Sequence, residues 1–126
     1  MTAPLVLIAD DDDLLRDLVQ HKLSLRGYTV EQVADGMAAY EFIKARRPAL
    51  AVLDAMMPDL DGFALLRRLN AEGLLQYTRV IMLTARKLES DIVGAFRAGA
   101  ADYLQKPFKP EELMSRVVRV VPPESV

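Results

Sequence analysis

Aspartates dominate the reactive side chains of this sequence. Asp10, Asp11, Asp12 and Asp13 stand in a row, and Asp54 closes a later apolar run. Further along come a Thr84-Ala85 pair and a Lys106-Pro107-Phe108 triplet. Carboxylates brought within a few ångströms repel, and each raises the pKa of its neighbour unless a cation intervenes. Mg²⁺ suits the task, being a hard ion that takes carboxylate oxygens and keeps several waters. A carboxylate so placed can also attack phosphorus and form an acyl phosphate. The transferring group then needs its equatorial oxygens neutralised, which a divalent cation, an ammonium and a hydroxyl can share. On this chemistry Asp10, Asp11 and Asp54 are the metal candidates and Asp54 is the nucleophile. Lys106 and Thr84 face the phosphoryl oxygens, and small Ala85 leaves room for entry.

These residues lie far apart in the chain, so the fold must bring them together. Short apolar runs at Leu5–Ala9, Tyr28–Val33, Leu50–Leu53, Val80–Leu83 and Ala101–Leu104 read as strands. Between them apolar residues recur at helical spacing. The stripes are Leu15, Leu18, Val19 and Leu23; Ala39, Phe42 and Ile43; Phe63, Leu66 and Leu69; Leu88, Ile92, Ala95 and Phe96; and Leu113, Val117, Val120 and Val121. Gly27 and Gly99 follow the first and fourth helices, where a left-handed residue is wanted. Asp35-Gly36 and Asp61-Gly62 open the second and third, Pro48 closes the second, and Pro110 suits the first position of the last. Strand and helix thus alternate through the chain, which predicts an α/β fold. The sheet is expected to be doubly wound, five-stranded and parallel, in the order 2-1-3-4-5 (a flavodoxin-like (β/α)5 arrangement). Ligands of such sheets bind beyond the carboxyl ends of the strands, at the switch between strands 1 and 3. Asp10, Asp54, Thr84 and Lys106 all fall at those ends.

Composition narrows the function classes. The chain has 126 residues, 16 basic and 18 acidic, with one His and no Cys or Trp. That length suits one domain able to bury roughly two-thirds of its unfolded surface without a metal or disulfide staple. Absence of Cys excludes a disulfide scaffold, a thiolate zinc site and a Cys nucleophile. A net charge of −2 argues against sequence-independent nucleic acid binding. No apolar run reaches the length of a membrane span, and no signal-peptide pattern opens the chain. A cytoplasmic protein is expected.

Over nearly its whole length the sequence resembles the receiver domain of two-component response regulators. The matching segments are Asp10-Asp11, Asp54 followed by Met-Met-Pro-Asp-Leu-Asp-Gly, Thr84-Ala85 and Lys106-Pro107-Phe108. The resemblance implies that Asp54 accepts a phosphoryl group from the phosphohistidine of a sensor histidine kinase or phosphotransfer protein. It implies Asp11, Asp54 and the Met56 backbone carbonyl as direct Mg²⁺ ligands, with Asp10 as the companion acid. Thr84 and Tyr103 would be the switch pair, Lys106 the phosphate-binding lysine, and the Lys106-Pro107 bond cis. Phosphorylation would draw Thr84 inward and let Tyr103 follow. The surface of the fourth helix, fifth strand and fifth helix would then change for a downstream effector domain or protein. The implied activity is self-phosphotransfer and autodephosphorylation, not turnover of a separate substrate. Residues 1–121 are assigned to the domain and 122–126 to a proline-containing tail or linker stub.

Other readings compete. Asp12 and Asp13 fit helix capping better than metal binding. Asp59 and Asp61 fit loop and helix caps, with Gly62 permitting the turn. A calcium loop would need Gly where Leu15 stands. His21 belongs to the polar side of its helix, Met56 and Met57 to loop packing, and Arg46-Arg47 and Arg67-Arg68 to solvated helix faces. A haloacid-dehalogenase-type Mg²⁺ phosphatase would want Thr where Leu14 stands and would leave Asp54 without a role. A phosphorylation-independent interaction module would lack one of Asp11, Asp54, Thr84 or Lys106. Met56 and Arg86 occupy positions that tune phosphoryl lifetime in the family, and Met56 offers no group to orient water. Asp102, Glu112 and Arg116 match a set through which related receivers form homodimers, while Ile92 and Ala101 depart from it. The chain reads either as a stand-alone regulator or as a receiver from a longer protein.

Overall fold

The computed structural model describes residues 3–85 and 89–123. Its elements, in chain order, are β1 (Leu5–Ala9), α1 (Asp13–Leu25), β2 (Thr29–Val33), α2 (Gly36–Arg46), β3 (Leu50–Asp54), α3 (Gly62–Ala71), β4 (Arg79–Thr84), α4 (Glu89–Arg97), β5 (Asp102–Gln105) and α5 (Pro110–Val120). The strands form one parallel sheet in the order β2-β1-β3-β4-β5, as expected. One element was not foreseen, a 3₁₀ turn at Leu74–Gln76 between α3 and β4.

Alternation along the strands sorts the core into two layers. Val6, Ile8, Val52, Ile81 and Leu83 meet Val19 and Leu23 of α1 and Leu113 and Val117 of α5. Leu7, Ala9, Leu53, Val80 and Met82 face the opposite way, onto α2, α3 and Ala95 of α4. β3 is buried at every position, as a strand covered on both faces must be.

The helix stripes were partly right. Leu18 of α1 and Phe96 of α4 are exposed, while Tyr40 of α2, Leu65 of α3 and Met114 of α5, outside the stripes, are buried. A three-to-four-residue count cannot say how wide the covered face is, and here it widens beside the stripes of α2, α3 and α5 and narrows on α1 and α4. Leu88 and Arg86 lie outside the described residues. Gly27 and Gly99 have φ of +96° and +109°, the left-handed geometry expected of residues that end helices. Arg47 ends α2 at φ +45°, although it is not a glycine.

Candidate functional site

The carboxyl ends of β1, β3 and β4 and the residue after β5 deliver Asp10, Asp54, Thr84 and Lys106 to one rim of the sheet. Carboxylate oxygens of Asp10, Asp11 and Asp54 lie within 4.8 Å of one another. Asp10 is fully buried, Asp54 is 2% exposed and Asp11 is open to solvent. Lys106 reaches across, its Nζ 2.8 Å from Asp10 Oδ2 and 3.5 Å from Asp54 Oδ2. Asp54 Oδ1 accepts from the Met56 N–H at 3.1 Å. Thr84 is buried, and exposed Ala85 follows it at the rim of an open cleft of about 430 Å³ shared with Asp12, Pro107 and Phe108. The Lys106-Pro107 bond is cis.

Burial and neighbouring charge together set the titration of Asp54 and Lys106. Burial pushes the Asp54 carboxyl above its usual range, and the charges of Asp10 and Asp11 push further. The Met56 N–H and Lys106 oppose that rise without cancelling it. Burial alone would lower the Lys106 pKa, but its hydrogen bond and charge interaction with Asp10, and then Asp54, raise it above the ordinary lysine value. One ammonium thus serves two buried acids, with a third close by. All three donors are oxygens, of the kind that a hard divalent cation takes.

The loops are built to hold this geometry. Asp12 caps α1, its Oδ1 accepting from the Leu14 and Leu15 N–H groups at 3.1 and 3.2 Å. Asp61 caps α3 through the Phe63 N–H at 2.7 Å. Asp59 also caps a helix, but not its own. Its two oxygens accept from the Gly36 and Met37 N–H groups of α2 at 2.7 and 2.9 Å, tying the loop after β3 across to that helix. These bonds hold the Asp59 carboxyl below its usual range. Gly62 serves close approach, since a Cβ there would sit 2.4 Å from the Asp54 carbonyl oxygen and 2.8 Å from the Ala55 Cα. Its role in permitting a turn was expected, but its φ lies outside the left-handed region. Both methionines were expected to pack within the loop; Met57 instead joins the core, and the Met56 side chain is exposed.

Farther out, Tyr103 is 8% exposed and packs with the core layer of α2, α3 and α4. Its backbone carbonyl accepts from Arg116 at 2.9 Å. Asp102 is bound by Arg116 at 2.9 Å and by Arg119 at 2.7 Å, and Glu112 accepts from the Lys109 N–H at 3.1 Å. Asp102, Glu112 and Arg116 therefore all have partners within their own chain. Arg119 was missed by the sequence reading, which had no signal for a pair between a strand start and the last turn of α5. His21 is exposed, as expected. Among the described residues no helix is long and apolar enough to cross a membrane.

Residues 6–118 match the family described as the response regulator receiver domain. The response regulator MprA of Mycobacterium ulcerans is 45% identical over 112 residues, which is 89% of this chain and 47% of that protein. The chain spans about half the length of the curated relatives it matches. Among solved structures, the chemotaxis response regulator CheY4 of Vibrio cholerae superposes with a TM-score of 0.87 at 32% identity, over 95% of this chain and all of that one. The Francisella response regulator 1452 receiver domain gives 0.87 at 34% identity, over 93% and 95%. Four acidic, hydroxyl and basic motifs at the strand ends, a sheet in the order 2-1-3-4-5 and these likenesses agree: the chain belongs to the receiver domains of two-component response regulators.

Proposed function

We propose that Asp54 is the phosphoacceptor of this domain and that a sensor histidine kinase or phosphotransfer protein is the donor. A carboxylate oxygen of Asp54 attacks the phosphorus of a phosphohistidine. The new P–O bond forms as the P–N bond breaks, and the imidazole leaves with the electron pair and takes a proton. Asp10, Asp11, Asp54 and the Met56 carbonyl would hold Mg²⁺, and the donor set fits it because oxygens of the three carboxylates meet within 4.8 Å beside Lys106. When bound, the ion supplies positive charge against the phosphoryl oxygens. Lys106 supplies a second positive charge, and the Thr84 hydroxyl supplies a hydrogen bond. Attack by water on the acyl phosphate, in the same site, returns Asp54 to its free form.

The output follows from where the charge lands. A phosphoryl group adds about −1.5 to −2 charge beside Thr84. Thr84 drawn toward it favours the form with Tyr103 inward, and the burial of Tyr103 supports an inward position that the chain can adopt. The readout surface is then α4, β5 and α5, where an open groove runs between Ile92, Phe96, Tyr103 and Arg116. An effector domain or protein would dock there; a homodimer through this face would have to exchange the internal partners of Asp102 and Arg116. The domain is taken as residues 1–121, since α5 ends at Val120. It acts in the cytoplasm and touches neither nucleic acid nor membrane directly.

The carrying observation is the convergence of Asp10, Asp11, Asp54 and Lys106 from the ends of three strands. Intact mass after incubation with Mg²⁺ and acetyl phosphate tests the reading. One added phosphoryl group is expected, lost without Mg²⁺ and in Asp54→Asn. Addition that persists in Asp54→Asn would overturn the assignment. No addition from either acetyl phosphate or a phosphorylated histidine kinase would favour the interaction module.

A further inference from the structure

Every oxygen of Asp10 is engaged. Oδ1 accepts from the Asp12 N–H at 2.9 Å and Oδ2 from Lys106 at 2.8 Å. The backbone carbonyl accepts from Arg16 Nη1 at 2.6 Å. Arg16 belongs to α1 and has no part in the chemistry proposed above. Its guanidinium is itself held in place. Nε donates to Gln32 Oε1 at 3.0 Å, and Gln32 Nε2 donates to Asp17 Oδ1 at 3.1 Å and to Gln20 Oε1. Gln32 stands on β2, the edge strand beside β1. The first helix and the edge strand therefore lock one fork of donors over the end of β1.

The Asp10 carbonyl lies in the peptide that joins Asp10 to Asp11. A peptide unit is planar, so fixing its oxygen fixes its rotation and the place of the next Cα, leaving only the φ and side-chain torsions of Asp11 to set where its carboxylate lies. Asp11 is exposed, and packing does not orient it. A cation close to a helix N-terminus also works against the helix dipole. A bond that offsets this cost accounts for Arg16 at that position. Only a guanidinium offers two donors in a rigid fork, one for the Asp10 carbonyl and one for Gln32.

We infer that Arg16, braced by Gln32, is a positioning residue of the acidic site: it holds the Asp10–Asp11 peptide so that the Asp11 carboxylate faces Asp54 before any cation arrives. The inference rests on the reading of Asp10, Asp11 and Asp54 as a Mg²⁺ site. Hydrogen-bond partners behind metal ligands are commonly worth about 10- to 100-fold in metal affinity. Arg16 acts one bond further back, on the backbone, so the lower end of that range applies.

The test is calorimetric titration of the full chain with Mg²⁺ for wild type, Arg16→Met, Arg16→Lys and Gln32→Leu. The metal-free melting temperature of each, in EDTA, is measured alongside. Arg16→Met should weaken Mg²⁺ binding by about tenfold. Arg16→Lys should recover part of the loss, because one ammonium reaches the carbonyl without Gln32. Gln32→Leu should lose less than Arg16→Met. These changes in affinity should not track the metal-free melting temperatures, as they would if Arg16 only supported the fold. Wild-type affinity in Arg16→Met and Gln32→Leu would overturn the inference while leaving the metal site standing. If Arg16→Met fails to fold, unchanged affinity in both Arg16→Lys and Gln32→Leu decides against it. A wild-type chain that takes no Mg²⁺ would sink the metal reading itself, and this inference with it.

Discussion

Replacing Asp54 by Asn should make the metal-free domain more stable, which is the reverse of what removing a buried, hydrogen-bonded side chain usually does. Asn keeps the shape and leaves an oxygen to accept the Met56 N–H, so the change is close to a pure loss of charge. At an effective dielectric constant of about 20, each carboxylate, lying within 4.8 Å, repels Asp54 by about 3.5 kcal/mol or more, and Lys106 at 3.5 Å attracts it by about 4.7 kcal/mol. Two acids thus outweigh one lysine by about 2 kcal/mol, less the screening of exposed Asp11 by solvent. Burial, the largest cause of the raised Asp54 pKa, adds to the same side. A net gain of about 1–2 kcal/mol is expected, or a melting temperature higher by about 4–8 °C. The sign with pH follows. Because the folded pKa is raised, wild-type stability is fully present below the ordinary carboxylate pKa and is lost as pH rises through the folded value. The advantage of Asn should therefore be largest at neutral pH and shrink toward pH 4. Saturating Mg²⁺ should narrow it further, since a ligand at about 100 times its Kd stabilises the wild type by about 2.7 kcal/mol. Calorimetric melting of both proteins in EDTA and in Mg²⁺ decides the matter. An Asn variant that is less stable in EDTA, or that gains as much from Mg²⁺ as the wild type, would refute the reasoning.

Other expectations can be checked with the same material. Gly62→Ala drives a methyl group against the Asp54 carbonyl and should cost about 2–3 kcal/mol in urea denaturation, with slower labelling by acetyl phosphate. Asp59→Asn should weaken the tie between the loop after β3 and α2. Because the Asp59 pKa is lowered, its contribution is present above the ordinary carboxylate value and lost as pH falls through the folded one, so wild type and variant should converge in acid melts. The acyl phosphate should not be unusually short-lived, because exposed Met56 carries no group to orient water; fast loss of label from purified protein would contradict this, and Met56→Asn would then change little.

Much of this architecture is legible in the sequence because burial and periodicity coincide. β3 reads as one apolar run since both its faces are covered, and its end at Asp54 marks the rim without further information. The helix caps are legible for the same local reason, as Asp12, Asp35 and Asp61 each precede their helix and bond within it. Where legibility failed, the cause was contact between distant segments. Tyr40 stands outside the apolar stripe read for its helix, yet its ring is buried and its hydroxyl donates to Glu72 at 2.6 Å, across from α2 to the end of α3. Asp59 has the type of a cap and the position of a loop, but the helix it caps lies 22 residues earlier.

The candidate site divides along the same line. Its reactive groups declare themselves by type, since few structural reasons place acids at the ends of two neighbouring strands. The groups that aim them do not. Arg16 is one of several charged residues on a surface helix, and only the path of β1 beneath it makes its guanidinium a clamp on the Asp10 carbonyl. Gly62 looks like a turn glycine, and only the distance from its missing Cβ to the Asp54 carbonyl shows that space is what it supplies. Both act on backbone, and backbone has no letter in the sequence. Substitutions at such residues should therefore disturb metal and phosphoryl chemistry while leaving every acidic and basic group of the site in place, an outcome that inspection of the reactive motifs alone would not anticipate.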